Sequence, residues 1–203
     1  MKLTLLLLPI LGFSLMPLPL HRAKADGLKI GESLPKADIR LKDVSNKDIS
    51  LQEVKESGGL LVIFSCNTCP YVIRNQSRTK EICGYARTKK IGVAVLNANE
   101  GDRQGGNSFG EMQSYAREQG YQWFYAVDRN SELANAFGAS RTPECYLFDR
   151  NSKLVYHGAI DDSPGDAGQV RRAHLHVAMD EMLAGKEVTV KETRSVGCSI
   201  NRG

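Results

Sequence analysis

The chain has 203 residues, with 27 Lys and Arg against 23 Asp and Glu and a formal charge of +4. Lys2, Arg22 and Lys24 all lie in residues 1–25, which hold no acid, so the rest of the chain is balanced at 24 to 23. No basic face remains to suggest nucleic acid as a partner, and the remaining length suits one domain with a sizeable core.

The opening "MKLTLLLLPILGFSLMPLPLHRAKA" places Lys2 before a long apolar run and ends it at Ala23-Lys24-Ala25, ahead of Asp26. That layout predicts a cleavable secretory signal peptide over residues 1–25. An uncleaved membrane anchor is the alternative. Against it, Pro9, Pro17 and Pro19 interrupt the run, which barely reaches the roughly 18–20 apolar residues that a spanning helix needs. The mature segment, 26–203, is therefore predicted to be secreted across the inner membrane to the periplasm. No stable membrane insertion is expected once the signal is removed.

In the mature segment, a short strand is predicted near Ile39–Leu41, followed by a turn and a brief helix. Leu60–Phe64 is a continuous apolar run between Gly58-Gly59 and Ser65, the pattern of a strand buried on both faces. Val72, Thr79, Ile82, Cys83 and Ala86 fall at helical spacing, and "IGVAVLNAN" is a second buried strand. "EGDRQGGNS" reads as a polar loop. A helix over about 109–118 then ends at Gly120, and "YQWFYAVD" is a short strand. "NSELANAFGA" is a compact helix with an Asn cap and a terminal Gly. "PECYLFD" and "KLVYHGAI" form a hairpin across Arg150-Asn151-Ser152. A last helix is predicted over Val170–Leu183, with Val170, Ala173, Val177, Met179 and Met182-Leu183 on its apolar side. A polar tail with one Cys runs from about residue 186.

Strands alternating with helices, then a hairpin and a helix, predict an α/β fold with a mixed central β-sheet flanked by helices. A Cys-x-x-Cys between a buried strand and a helix makes the order that of a thioredoxin-like domain. Five cysteines, 66, 69, 83, 145 and 198, lie in the mature segment. An exported chain sits where disulfides persist, and the odd count leaves at least one thiol free or paired between molecules.

Cys66 follows the buried strand just ahead of a helix, near unpaired backbone N–H groups and the positive end of the helix dipole. Cys69 lies one turn on, and Pro70 suits a first helical turn because it needs no N–H there. This arrangement predicts reversible exchange, with Cys66 attacking and Cys69 resolving the mixed disulfide; a passive bridge is the competing reading. Thr142-Pro143 heads a strand, and in a thioredoxin-like fold it is the loop beside the Cys pair that positions a substrate's backbone. The fold reading favours a cis bond there.

"FSCNTCPYV", "REQGYQWFYAVDRNSELANAFGASRTPECYLFD", "LVYHGAIDDSP" and "SVGCSIN" resemble, in order over roughly residues 30–200, thioredoxin-like redoxin proteins. These are related to alkyl hydroperoxide reductase and thiol-specific antioxidant proteins. Similar members carry Cys-Asn-x-Cys-Pro, a Thr-Pro loop, an Asp-Asp after the hairpin and a Gly-Cys-x-Ile near the C-terminus. The resemblance implies a redox role for Cys66 and Cys69, and a third redox cysteine at Cys198. Pairing of Cys198 with Cys145 or with another chain stays open. Two departures stand out. Arg141 occupies a position where similar members often have Cys, and Leu60 stands where thioredoxins usually place a buried carboxylate. Proton transfer to Cys69 then needs another group, for which Glu144, with Asp161 behind it, is the candidate.

The leading expectation is a thiol–disulfide oxidoreductase without cofactor or metal. It would act on a disulfide-containing protein or a small thiol and exchange electrons with an upstream donor or acceptor. A thiol peroxidase is second, because Ile63 stands where peroxide-reducing relatives place a Thr. A Cu(I) carrier is third: soft thiolates bind Cu(I), but the two-residue Cys spacing and the lack of a well-placed His count against it. Cys83 and Cys145 read as small buried hydrophobes. His157, His174 and His176 read as ordinary surface or core residues, and Trp123 as core.

Overall fold

A computed structural model describes residues 27–203; the predicted signal peptide lies outside the described residues. The chain order is β1 (Leu41–Asp43), β2 (Asp48–Ile49), α1 (Leu51–Val54), β3 (Gly59–Ser65), α2 (Pro70–Thr88), β4 (Ile91–Asn97), α3 (Phe109–Gln119) and β5 (Phe124–Val127). Then follow α4 (Glu132–Phe137), β6 (Arg141–Thr142), β7 (Glu144–Phe148), β8 (Leu154–Gly158), α5 (His174–Leu183) and β9 (Cys198–Ser199). Seven strands form one sheet in the order β2-β1-β5-β4-β3-β7-β8, while β6 and β9 pair separately. Strands β3, β4 and β5 run parallel, and β1, β7 and β8 pair antiparallel at the flanks, giving the mixed sheet predicted.

Strands β3 and β4 are buried along their whole length. This is why they carry unbroken apolar runs instead of alternation. Successive side chains of β3 still point to opposite faces. Leu60, Val62 and Phe64 join a core with Leu51, Phe137, Tyr146 and Phe148 under α1 and α4. Leu61 and Ile63 join a second core with Ile82, Val95, Leu147, Leu175 and Met179 under α2, α3 and α5. Neighbours in sequence thus face different cores: Cys145 falls in the second and Tyr146 in the first. Helix α3 ends at Gly120, which adopts the left-handed conformation expected of a C-cap glycine.

Among the boundaries that differ from the sequence-based expectation, three have a clear local cause. The first strand begins at Leu41, because residues 35–38 form a turn closed by the Ile39 N–H on the Lys36 carbonyl. Helix α4 is capped from further back than Asn130: the Asp128 carboxylate accepts the N–H groups of Leu133 and Ala134 at 2.9 and 2.8 Å. The last helix begins at His174, not Val170. Asp162 ties down the segment before it, accepting the Arg171 N–H at 3.0 Å while its own N–H meets the Arg172 carbonyl. The buried face of α5 is accordingly Leu175, Ala178 and Met179.

Candidate active site

The site lies where β3 leaves the sheet and α2 begins. Cys69 is the N-cap of α2 and Pro70 its first residue, and no side chain caps the helix. Cys66 sits three residues earlier, between strand and helix. Both sulfurs are almost fully buried, the residues being 4% and 3% exposed, and Thr142 stands against both. Cys66 Sγ is 3.5 Å from Thr142 Oγ1, and Cys69 Sγ is 3.3 Å from the Thr142 carbonyl oxygen. The Thr142–Pro143 peptide bond is cis. Cys69 is joined by a disulfide to Cys198, 129 residues away, while Cys66 remains a thiol. The three cysteines pack together with Val72 and Tyr71.

Cys198 therefore pairs with neither Cys145 nor, within this structure, Cys66. It reaches Cys69 because β9 runs antiparallel along β6, with Cys198 opposite Thr142 and Ser199 opposite Arg141. Gly197 permits the approach: a Cβ there would lie 2.0 Å from the Thr142 carbonyl oxygen, far inside any real contact.

Between the two cysteines, Asn67 is held by groups far away in sequence. Its N–H donates to Asn107 Oδ1 at 2.9 Å, its side-chain amide donates to the Gly106 carbonyl at 2.8 Å, and Tyr125 OH donates to its Oδ1 at 2.7 Å. Asn97 donates to both Asn107 Oδ1 and Tyr125 OH, and Asn107 in turn donates to Asp102 and Thr68. Buried polar groups are costly unless paired, and here each partner satisfies another, so the loop has one position. Gly106 lets the second loop come close, since a Cβ would meet the Thr68 methyl at 2.4 Å. Sequence reasoning took "EGDRQGGNS" as an ordinary loop and missed these residues. The available signal was Asn97, a polar residue closing an otherwise apolar buried strand.

Glu144 lies at the start of β7, on the face of Tyr146, and its carboxylate is fully engaged. Oε2 accepts the N–H groups of Ser140 and Arg141, both at 2.8 Å. Oε1 accepts Tyr146 OH at 3.2 Å and meets His157 Nε2 at 2.7 Å. Burial pushes the Glu144 carboxyl up, but the His157 contact and the two backbone donors more than offset it and hold it below its ordinary value. Glu144 thus braces the two residues ahead of Thr142, and among the described residues no hydrogen bond links it to either sulfur. Asp161 is placed elsewhere again. It forms a buried ion pair with Arg78 of α2 at 2.6 Å and accepts the Ser163 N–H, which ties the flank of α2 to the 161–164 turn. The structure therefore gathers Cys66, Cys69, Thr142, Pro143 and Cys198, and leaves Glu144 and Asp161 outside that group.

The other two cysteines lie in the second core. Burial pushes both thiols well above the usual range, and for Cys145 neighbouring Cys83 and Glu144 add to it. Among the described residues no group of three or more His, Cys, Asp or Glu is arranged to hold a metal ion, and no helix is long and apolar enough to cross a membrane.

A mixed sheet, a Cys pair at the head of α2 and a cis-Pro loop facing that pair define a thioredoxin-like protein. The Redoxin family model matches residues 29–173, and the chain belongs to that family of thioredoxin-like oxidoreductases. Two solved structures are similar over most of their length. One is an uncharacterized conserved protein from Geobacillus kaustophilus, 31% identical, with a TM-score of 0.79 over 85% of this chain and 91% of that one. The other is a hypothetical protein from Sinorhizobium meliloti 1021, 32% identical, with a TM-score of 0.78 over 87% and 96%. A PrxQ mutant from Xylella fastidiosa, 15% identical with a TM-score of 0.58 over 79% and 98%, shares the fold. No curated protein matches the chain.

Proposed function

We propose that the protein is an exported thiol–disulfide oxidoreductase whose reacting groups are Cys66 and Cys69. The observation that carries this reading is the packing of a free Cys66 thiol and the Cys69 sulfur against Thr142, ahead of a cis proline. The Cys66 thiolate attacks one sulfur of a substrate disulfide, forming a mixed disulfide and releasing the other sulfur as a thiolate. The Cys69 thiolate then attacks Cys66 Sγ, closing the Cys66–Cys69 bond and freeing the second substrate thiolate. Two electrons pass from protein to substrate, and the reverse sequence oxidises a dithiol. The substrate is a protein or small-molecule disulfide, and a separate donor or acceptor resets the pair.

Reduced residues 26–203 should reduce a disulfide-bonded model protein and a small aromatic disulfide with turnover in the presence of dithiothreitol. Cys66→Ser should abolish turnover, and Cys69→Ser should accumulate the mixed disulfide on Cys66. Wild-type turnover by Cys66→Ser would overturn the assignment. Export is tested separately by the mass of the chain recovered from a Gram-negative host: periplasmic protein beginning at Asp26 supports it, and cytoplasmic protein beginning at Met1 contradicts it.

A further inference from the structure

The tail reaches the site by a route that does not depend on its disulfide. Before Cys198, the Thr193 N–H donates to the His157 carbonyl and Thr193 Oγ1 accepts the Ala159 N–H at 2.9 Å. After it, Ile200 is buried in the first core and its N–H donates to the Ser140 carbonyl. One residue on, the Asn201 N–H donates to Asn99 Oδ1 at 3.0 Å, and its carbonyl accepts the Gly101 N–H. Cys198 is thus pinned from both sides, and Gly197 lies close against the Thr142–Pro143 peptide. A thiol held this way stays beside Cys69 after the bond opens, at the high effective concentration that makes an intramolecular step outrun an intermolecular one.

The partner that Cys198 meets follows from the strand pairing. β9 lies along the backbone of Thr142, whose carbonyl contacts Cys69, whereas Cys66 contacts the Thr142 side chain. Cys198 therefore arrives at Cys69 and leaves Cys66 free.

We propose that Cys198 is a third redox cysteine, built into the site by the tail, that takes over the disulfide formed between Cys66 and Cys69. The Cys198 thiolate attacks Cys69 Sγ, the Cys66–Cys69 bond breaks, and Cys66 leaves as a thiolate that takes a proton from solvent. The product is the Cys69–Cys198 disulfide with Cys66 reduced. One bond forms as one breaks, no electrons enter or leave, and no co-reactant is needed. The consequence is an oxidised protein that keeps its attacking thiol. This inference rests on the reading of Cys66 and Cys69 as a redox pair, and its test is chosen to fail separately.

Reduced wild type, Cys198→Ser and Gly197→Val are each given a pulse of diamide, quenched in acid at intervals, alkylated and mapped by mass spectrometry. In wild type the Cys66–Cys69 bond should appear first and give way to Cys69–Cys198, with Cys66 becoming alkylated. In Cys198→Ser the oxidised form should stop at Cys66–Cys69, with no label on Cys66. Gly197→Val keeps the thiol but blocks its approach, and should also stop there, with Cys198 labelled. Cys83 and Cys145, labelled as free thiols throughout, report in every case that oxidation is confined to the site. Wild type that ends at Cys66–Cys69 with Cys198 labelled would overturn the relay. So would Cys66→Ser forming Cys69–Cys198 as fast as wild type. In either event turnover by Cys66 and Cys69 would leave the oxidoreductase reading standing, whereas wild-type turnover by Cys66→Ser removes that reading instead.

Discussion

Cys66 and Cys69 at the head of α2 and Cys83 and Cys145 in the second core are buried to almost the same degree. Their surroundings differ. Cys83 and Cys145 sit among Leu61, Ile63, Ile82 and Leu147, where nothing stabilises a thiolate and burial pushes both thiols far up. Cys66 and Cys69 sit where the chain changes from strand to helix, with the Thr142 hydroxyl and carbonyl against them and a cross-linked Asn loop behind. On the proposed function, therefore, burial alone does not separate a reactive thiol from an inert one. The groups that share the buried space do.

Stripping the polar side of this contrast gives the largest expected effect among variants that retain all five cysteines. Asn107→Leu leaves the Asn67 N–H without its acceptor and removes one of the two acceptors of the Asn97 amide. It should cost about 2–3 kcal/mol in urea unfolding, the penalty of unsatisfied buried donors. Disulfide exchange by Cys66 should slow about tenfold as the loop loses its single position. Unchanged exchange would show that the network holds the fold and not the chemistry.

Glu144→Gln probes the brace ahead of Thr142 and should cost about 2 kcal/mol by weakening hydrogen bonds to a buried charge. Because the Glu144 carboxyl is held below its ordinary value of 4.5, the wild type binds fewer protons there than the unfolded chain does. The contribution is thus fully present above that value and is lost as pH falls below it and through the lower folded-state value. The variant should lack that acid slope in unfolding measured between about pH 3 and 6. If Glu144 passes protons to Cys69, exchange should slow in step with the lost carboxylate. A normal rate leaves Glu144 as a positioning residue only.

The smallest effects belong to the inert pair. Cys83→Ala and Cys145→Ala should each cost about 1 kcal/mol as small core deletions and leave turnover within about twofold. Neither thiol should label with iodoacetamide in the native protein at about pH 9, where an ordinary exposed thiol is reactive. Rapid labelling of Cys145 would break the comparison.

The sequence carried this contrast only in part. Strands β3 and β4 were legible because burial on both faces leaves unbroken apolar runs, and the Cys pair was legible because it falls between such a run and a helical pattern. Cys83 and Cys145 were placed in the core by the same periodicity. The partner of Cys198 was not legible, because connectivity does not follow from Cys spacing. It depends on β9 meeting β6, two strands of two residues each that carry no periodicity to read. The network of Asn67, Asn97, Asn107 and Tyr125 was hidden for a related reason, since its members come from four segments that only the folded sheet brings together. Glu144 drew attention through its place beside Pro143, but strand alternation turns it toward Tyr146 and His157.

The most direct test of the account is an equilibrium titration of residues 26–203 across graded glutathione buffers, with differential alkylation and mass spectrometry reporting each cysteine. Two of the three thiols at 66, 69 and 198 should disappear together in one two-electron step, while Cys83 and Cys145 stay reduced throughout. A disulfide engaging Cys83 or Cys145, or a Cys69–Cys198 bond that does not open anywhere in the range, would contradict it.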